Sequence, residues 1–117
     1  MRLTAFALSG ACALVGCGSD GGAGAGDAIA ITSTDSACDV SQTTLAAGKH
    51  TFVVSNKGTQ TTEVYVYQSG DKVVTEKEHI GPGTSAKFTA DLKAGQYEIA
   101  CKPGEKGSGI RQKITVA

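Results

Sequence analysis

The sequence has no tryptophan, one methionine at position 1, two prolines and 5% aromatic residues in a chain of 117. It has no surplus of charge either, since 11 Lys and Arg stand against 11 Asp and Glu. Balanced charge without a clustered basic surface offers nothing to track a phosphate backbone, so nucleic acid is not expected as a partner. No apolar run reaches the roughly 20 residues that a bilayer-spanning helix needs. Only two histidines are present. No serine stands in a nucleophile elbow, so no nucleophile, base and orienting group can be assembled and an enzyme is not expected.

Four cysteines in so short a chain are informative. The first lies in a segment with one early positive charge, Arg2, and no further charge until Asp20. A short apolar run behind a basic start suits an export signal. It ends in Leu14-Val15-Gly16-Cys17, which resembles the bacterial lipobox, and the expected processing removes residues 1–16 and lipidates Cys17. Each buried CH₂ is worth about 0.8 kcal/mol, so two acyl chains hold a protein stably on a membrane where one does not. Cys12 and Arg2 leave with the signal, and 10 basic residues then face 11 acidic ones in a mature chain of 101 residues with net charge −1. Residues 17–27 contain the lipidated Cys17 and a tether with five of the sixteen glycines. Ten residues of that composition form a flexible coil spanning roughly 17 Å. The expected location is therefore extracytoplasmic, lipid-anchored to the bacterial cell membrane.

Residues 28–117 read as one all-β domain. Ile29 and Ile31 alternate with small residues, and Glu63-Val64-Tyr65-Val66-Tyr67 alternates again. Short runs around 51–55, 72–75, 85–90, 96–101 and 111–116 are bounded by Gly, Pro, Ser and Asp. About seven strands at roughly ten-residue spacing predict a β-sandwich or barrel. Leu45-Ala46-Ala47-Gly48 and Leu92-Lys93-Ala94-Gly95 share a pattern in which a leucine plugs the sandwich edge and a glycine turns the chain into the next strand. The pair Tyr65 and Tyr67 reads as sandwich packing. On the strand before Cys101, alternation puts Tyr97, Ile99 and Cys101 on one apolar face.

The stretches Ala37-Cys38-Asp39, Glu63-Val64-Tyr65-Val66-Tyr67, Ile80-Gly81-Pro82-Gly83 and Tyr97-Glu98-Ile99-Ala100-Cys101 carry a resemblance. They are similar to the cupredoxin-like domain of EfeO-type iron-uptake lipoproteins. The resemblance implies a cupredoxin-like Greek-key sandwich and an iron or copper ion held by cysteines and acidic residues. It implies Cys38, Glu63 and Cys101 as the principal metal ligands, with Glu76 and Glu78 as further acidic positions. Asp39 stands where the family carries Glu. The helical imelysin-like domain that usually follows is missing, so an iron permease and a separately encoded helical EfeO-like or peroxidase-like protein are the implied partners.

A blue-copper electron carrier is not expected. That centre needs two His, a Cys and usually an axial Met, mostly from one loop. After Cys101 the loop runs Lys102-Pro103-Gly104-Glu105-Lys106-Gly107-Ser108-Gly109 with neither residue type. Thiolate and carboxylate together suit several metals and name none. An equally open reading pairs Cys38 with Cys101 as a disulfide, as exported thiols usually are. Glu76-Lys77-Glu78 also fits a solvated strand edge. His50 and His79 read as surface residues, His79 being the better ligand candidate because it adjoins Glu76 and Glu78. Two functions follow: a metal-binding module of an iron-uptake system, or a disulfide-stapled, metal-free interaction domain on the cell surface.

Overall fold

The computed structural model describes residues 28–117. The expected export signal at 1–16, the lipidated Cys17 and the tether to residue 27 lie outside the described residues. Among those described, no helix is long and apolar enough to cross a membrane.

The described residues form nine strands: β1 (Ile29–Ser33), β2 (Cys38–Val40), β3 (Thr44–Leu45), β4 (Gly48–Asn56), β5 (Thr62–Gln68), β6 (Lys72–Ile80), β7 (Ser85–Leu92), β8 (Gly95–Cys101) and β9 (Ile110–Val116). They build a two-sheet sandwich, with order β2-β1-β4-β7 in one sheet and β3-β9-β8-β5-β6 in the other. The seven strands legible in the sequence are all present. The two additional ones, β2 and β3, have three and two residues, too few to display an alternation. They exist because β1 and β9 offer them a free edge, antiparallel for β2 and parallel for β3.

Alternation does the packing. Phe52 and Val54 of β4, Val64 and Val66 of β5 and Ile99 and Cys101 of β8 are all fully buried between the sheets. Gly48 and Gly95 open β4 and β8 at φ +132° and +151°, where a side chain is strained. Leu45 and Leu92 are buried just ahead of them, as the shared Leu-Ala-Gly pattern predicts.

Tyr65 and Tyr67 depart from expectation. Val64 and Val66 occupy the core face of β5, so alternation turns both tyrosines outward. There they stack on each other, ring centroids 5.5 Å apart. Tyr67 is buried all the same, beneath the Arg111 guanidinium 4.4 Å from its ring centre.

One buried polar residue ties the loops at one end together. The Asn56 amide donates to the carbonyls of Gln60 (2.8 Å) and Ile80 (2.9 Å), and its oxygen accepts from the Gly58 N–H (2.9 Å). Asn56→Ala strands those groups, and the expected cost is about 3 kcal/mol of unfolding free energy, given roughly 1–3 kcal/mol for each buried group left unpaired. Urea denaturation measures it. A loss below about 1 kcal/mol would show that water replaces the amide at no net cost.

Candidate functional site

The end of the sandwich that Asn56 organises is also where the acidic residues gather. Lys102 donates its backbone N–H to the Glu63 carbonyl at 2.8 Å, and Gly104 donates to Thr61 at 2.8 Å, so the loop after β8 is laced to the start of β5. On the other side β5 pairs with β6 through Thr62↔Ile80, Val64↔Lys77 and Tyr65↔Glu76. Between the first two pairs β6 carries an extra residue. This bulge places Glu78 and His79 opposite Glu63 and turns His79 to φ +59°, an uncommon conformation for a residue with a side chain.

Thr62 and Val64 are core residues, so Glu63 lies on the outward face of β5 with Tyr65 and, across the strand pair, Glu76. Glu63 is nevertheless only 8% exposed. Among the described residues no salt bridge reaches its carboxylate. Glu76 and Glu78 are exposed. Glu76 pushes the Glu78 carboxyl above the ordinary carboxylate range by hydrogen bonding and charge repulsion, and Glu63 adds to the repulsion. Partial desolvation and then the neighbouring Glu63 and Glu76 carboxylates raise the Tyr65 phenol above its usual range. The Lys102 ammonium lies 3.9 Å from the centre of the Tyr65 ring.

The two cysteines, open in the sequence to ligation or to a disulfide, lie elsewhere. Cys38 and Cys101 are joined in a disulfide with Cα atoms 5.6 Å apart, which staples β2 of one sheet to β8 of the other. Both are buried, and Cys101 points with Tyr97 and Ile99 into the core as alternation predicts. Cys101 pairs with Val64, whose side chain points inward, whereas Glu63 points outward. The expected trio Cys38, Glu63 and Cys101 is therefore split between opposite faces of the five-stranded sheet, and bonded sulfurs offer no thiolate. Glu63, Glu76 and Glu78 lie at the same end of the sheet, near enough for Glu63 and Glu76 to act on the Glu78 charge. Among the described residues no three His, Cys, Asp or Glu side chains already converge as a metal cage.

His50 is apart from this cluster, its Nε2 2.7 Å from the Ala46 carbonyl oxygen. His79 is 76% exposed, and its Nδ1 lies 2.8 Å from Glu105. Glu105, itself at φ +56°, was not legible as a site residue, because nothing in Gly104-Glu105-Lys106 points to a partner 26 positions earlier. Lys102 and Arg111 were missed for the same reason. At the far end of the tyrosine pair a guanidinium bridges the acids: Arg111 donates to Asp71 at 2.7 Å and to Glu98 at 3.1 Å. The Glu63 end has no such guanidinium among the described residues.

Comparison with known proteins agrees with this architecture. The model of the cupredoxin-like domain family matches residues 5–116. Over 73 residues, 62% of this chain, the sequence is 37% identical to the iron uptake system component EfeO of Escherichia coli strain K12 and equally to that of Shigella flexneri. The match spans 19% of the length of those relatives. Auracyanin of Roseiflexus castenholzii superposes with a TM-score of 0.64 at 20% identity, covering 78% of this chain and 97% of its own. With a two-sheet sandwich of that shape and a family match over nearly its whole length, the chain belongs to the cupredoxin-like domain family.

Proposed function

We propose that this chain is the metal-binding module of an EfeO-type iron-uptake system, held outside the cytoplasm by lipid on Cys17. Its relatives' name, iron uptake system component, supports the system. The observation that carries the site is Glu63, a buried carboxylate that makes no salt bridge among the described residues, beside Glu76 and Glu78. Burying an ionised carboxylate unpaired is costly, and three crowded carboxylates repel one another. A cation entering among them relieves both penalties. Oxygen donors favour hard metal ions, so iron suits this cluster better than a soft monovalent copper ion. An iron permease and a separately encoded helical EfeO-like or peroxidase-like protein are the partners this reading implies.

The decisive experiment titrates the oxidised chain with ferrous, ferric and cupric salts, each beside Glu63→Gln. Iron binding that weakens about 10–100-fold in the variant is expected, the scale on which the groups around a metal act. Binding that is indifferent to Glu63→Gln, or that needs reduction and is lost in Cys38→Ser, would move the site to the cysteines. A second reading, a disulfide-stapled interaction domain without metal, is favoured by the closed Cys38–Cys101 bond. It prevails if neither redox form binds any of the three ions.

A further inference from the structure

The end of the five-stranded sheet away from Glu63 carries an unfinished ladder. β8 pairs with β9 down to Gly95↔Val116, but with β5 only as far as Tyr67↔Glu98. β5 ends at Gln68 and the chain turns away through Ser69–Asp71. Gly95, Gln96 and Tyr97 therefore have no strand on that side among the described residues. We propose that this notch binds an extended, acidic peptide segment of a partner protein, which adds a short strand antiparallel to β8 where β5 leaves off. The proposal does not depend on the reading of Glu63.

Three observations carry it. First, the backbone of Gln96 is aimed into the notch. Antiparallel strands direct alternate residues to opposite neighbours. Lys102 donates its N–H to the Glu63 carbonyl of β5, and the same direction recurs two residues at a time at Ala100, Glu98 and Gln96. The other neighbour agrees. Thr115 and Ala117 donate to Thr43 and Leu45, away from β8, so β9 turns Ile114 and Val116 toward β8, where their partners are Tyr97 and Gly95. The ladder position opposite Gln96 falls to Ser69, which has left the strand. Among the described residues neither the N–H nor the C=O of Gln96 has a hydrogen-bond partner.

Second, there is room for a strand. Two adjoining hollows of about 240 and 320 Å³ share Gln68, Ser69, Gln96 and Tyr97 as walls. One continues to Lys113 and the other to Lys93. Three residues of strand span about 10 Å.

Third, the charges select the ligand. Lys93 and Lys113 are exposed at the two ends and make no salt bridge among the described residues. Asp71 and Glu98, the acids of the notch, are both engaged by Arg111. Unpaired cations at both ends favour acidic side chains on the incoming segment. Backbone pairing to Gln96 supplies affinity and the lysines supply the choice of sequence, the division of labour found where a peptide extends a sheet.

The test titrates the ¹⁵N-labelled full chain in mild detergent with a short N-acetylated peptide of alternating glutamate and valine. Binding is expected to move the Gln96 amide resonance and to slow its hydrogen exchange at least about tenfold, as a hydrogen bond of ordinary strength gives. Affinity falls at least about tenfold when the peptide amides are N-methylated, and again when Lys93→Glu and Lys113→Glu are combined. Gln96→Pro removes the free N–H, leaves the bonds to β9 and weakens binding likewise, while the N-methylated peptide tests the same bond on the unaltered chain. Equal binding of the N-methylated peptide, or of a peptide with lysine in place of glutamate, would overturn the proposal. Resonance changes confined to another edge such as β6, or no binding at about 1 mM peptide, would overturn it too. So would self-association without peptide that Gln96→Pro abolishes, since that gives the notch to a second copy.

Discussion

Replacing Cys38 and Cys101 together by alanine lowers the free energy of unfolding by about 4 kcal/mol, as expected for opening a long loop of the unfolded chain. The bridge joins residues 63 positions apart, and most of the domain lies inside the loop it closes. The entropy of that loop is the main contribution, because the unbridged chain regains freedom only when unfolded. A second contribution is topological. β2 has three residues and pairs only with β1, so without the bridge its hold on the five-stranded sheet depends on a few side-chain contacts. Against a net stability of about 5–15 kcal/mol, typical of single domains, this is a large share. Denaturant unfolding of the oxidised protein and the double variant measures it. A difference below about 1 kcal/mol would mean that the unfolded chain is already compact enough to make the cross-link redundant.

Phe52→Ala is expected to cost about 3–5 kcal/mol, the range for emptying a large aromatic site in a well-packed core. Phe52 is fully buried on β4 and sits directly opposite Phe88 of β7, the two rings stacked at 5.0 Å. These two are the phenylalanines within the described residues, so removing one ring leaves the other without its stacking partner. Phe88→Ala should cost less, because that ring is 9% exposed and water already reaches part of it. Thermal melts of both variants check the order. Equal losses, or a larger one for Phe88→Ala, would contradict the assignment of Phe52 as the centre of the core.

Strand content was legible because short alternating runs between turn residues have few other solutions. Tyr97, Ile99 and Cys101 share the buried face that alternation assigns them. Tyr65 and Tyr67 show the limit of the argument. Alternation separates β5 into two faces but does not say which faces inward when both carry apolar residues. The valines pack between the sheets, and the larger tyrosines find cover outside under Arg111 and Lys102. The candidate site divides in the same way. Glu63, Glu76 and Glu78 were recognised as residues, but their meeting depends on a one-residue bulge in β6 that no local pattern announces.

The sequence by itself determined that the described domain is built of strands and that the loop after Cys101 carries neither His nor Met, since both follow from residue type and spacing. Tertiary structure alone decided between ligand and bridge for Cys38 and Cys101. Whether two sulfurs meet depends on how two sheets stack, and that distance is set by the side chains packed between them. It also decided that Glu63 turns away from Cys101, because the face a residue occupies is fixed by the register of its strand against its neighbours. Chemistry that needs groups from several strands becomes visible only once those strands are side by side.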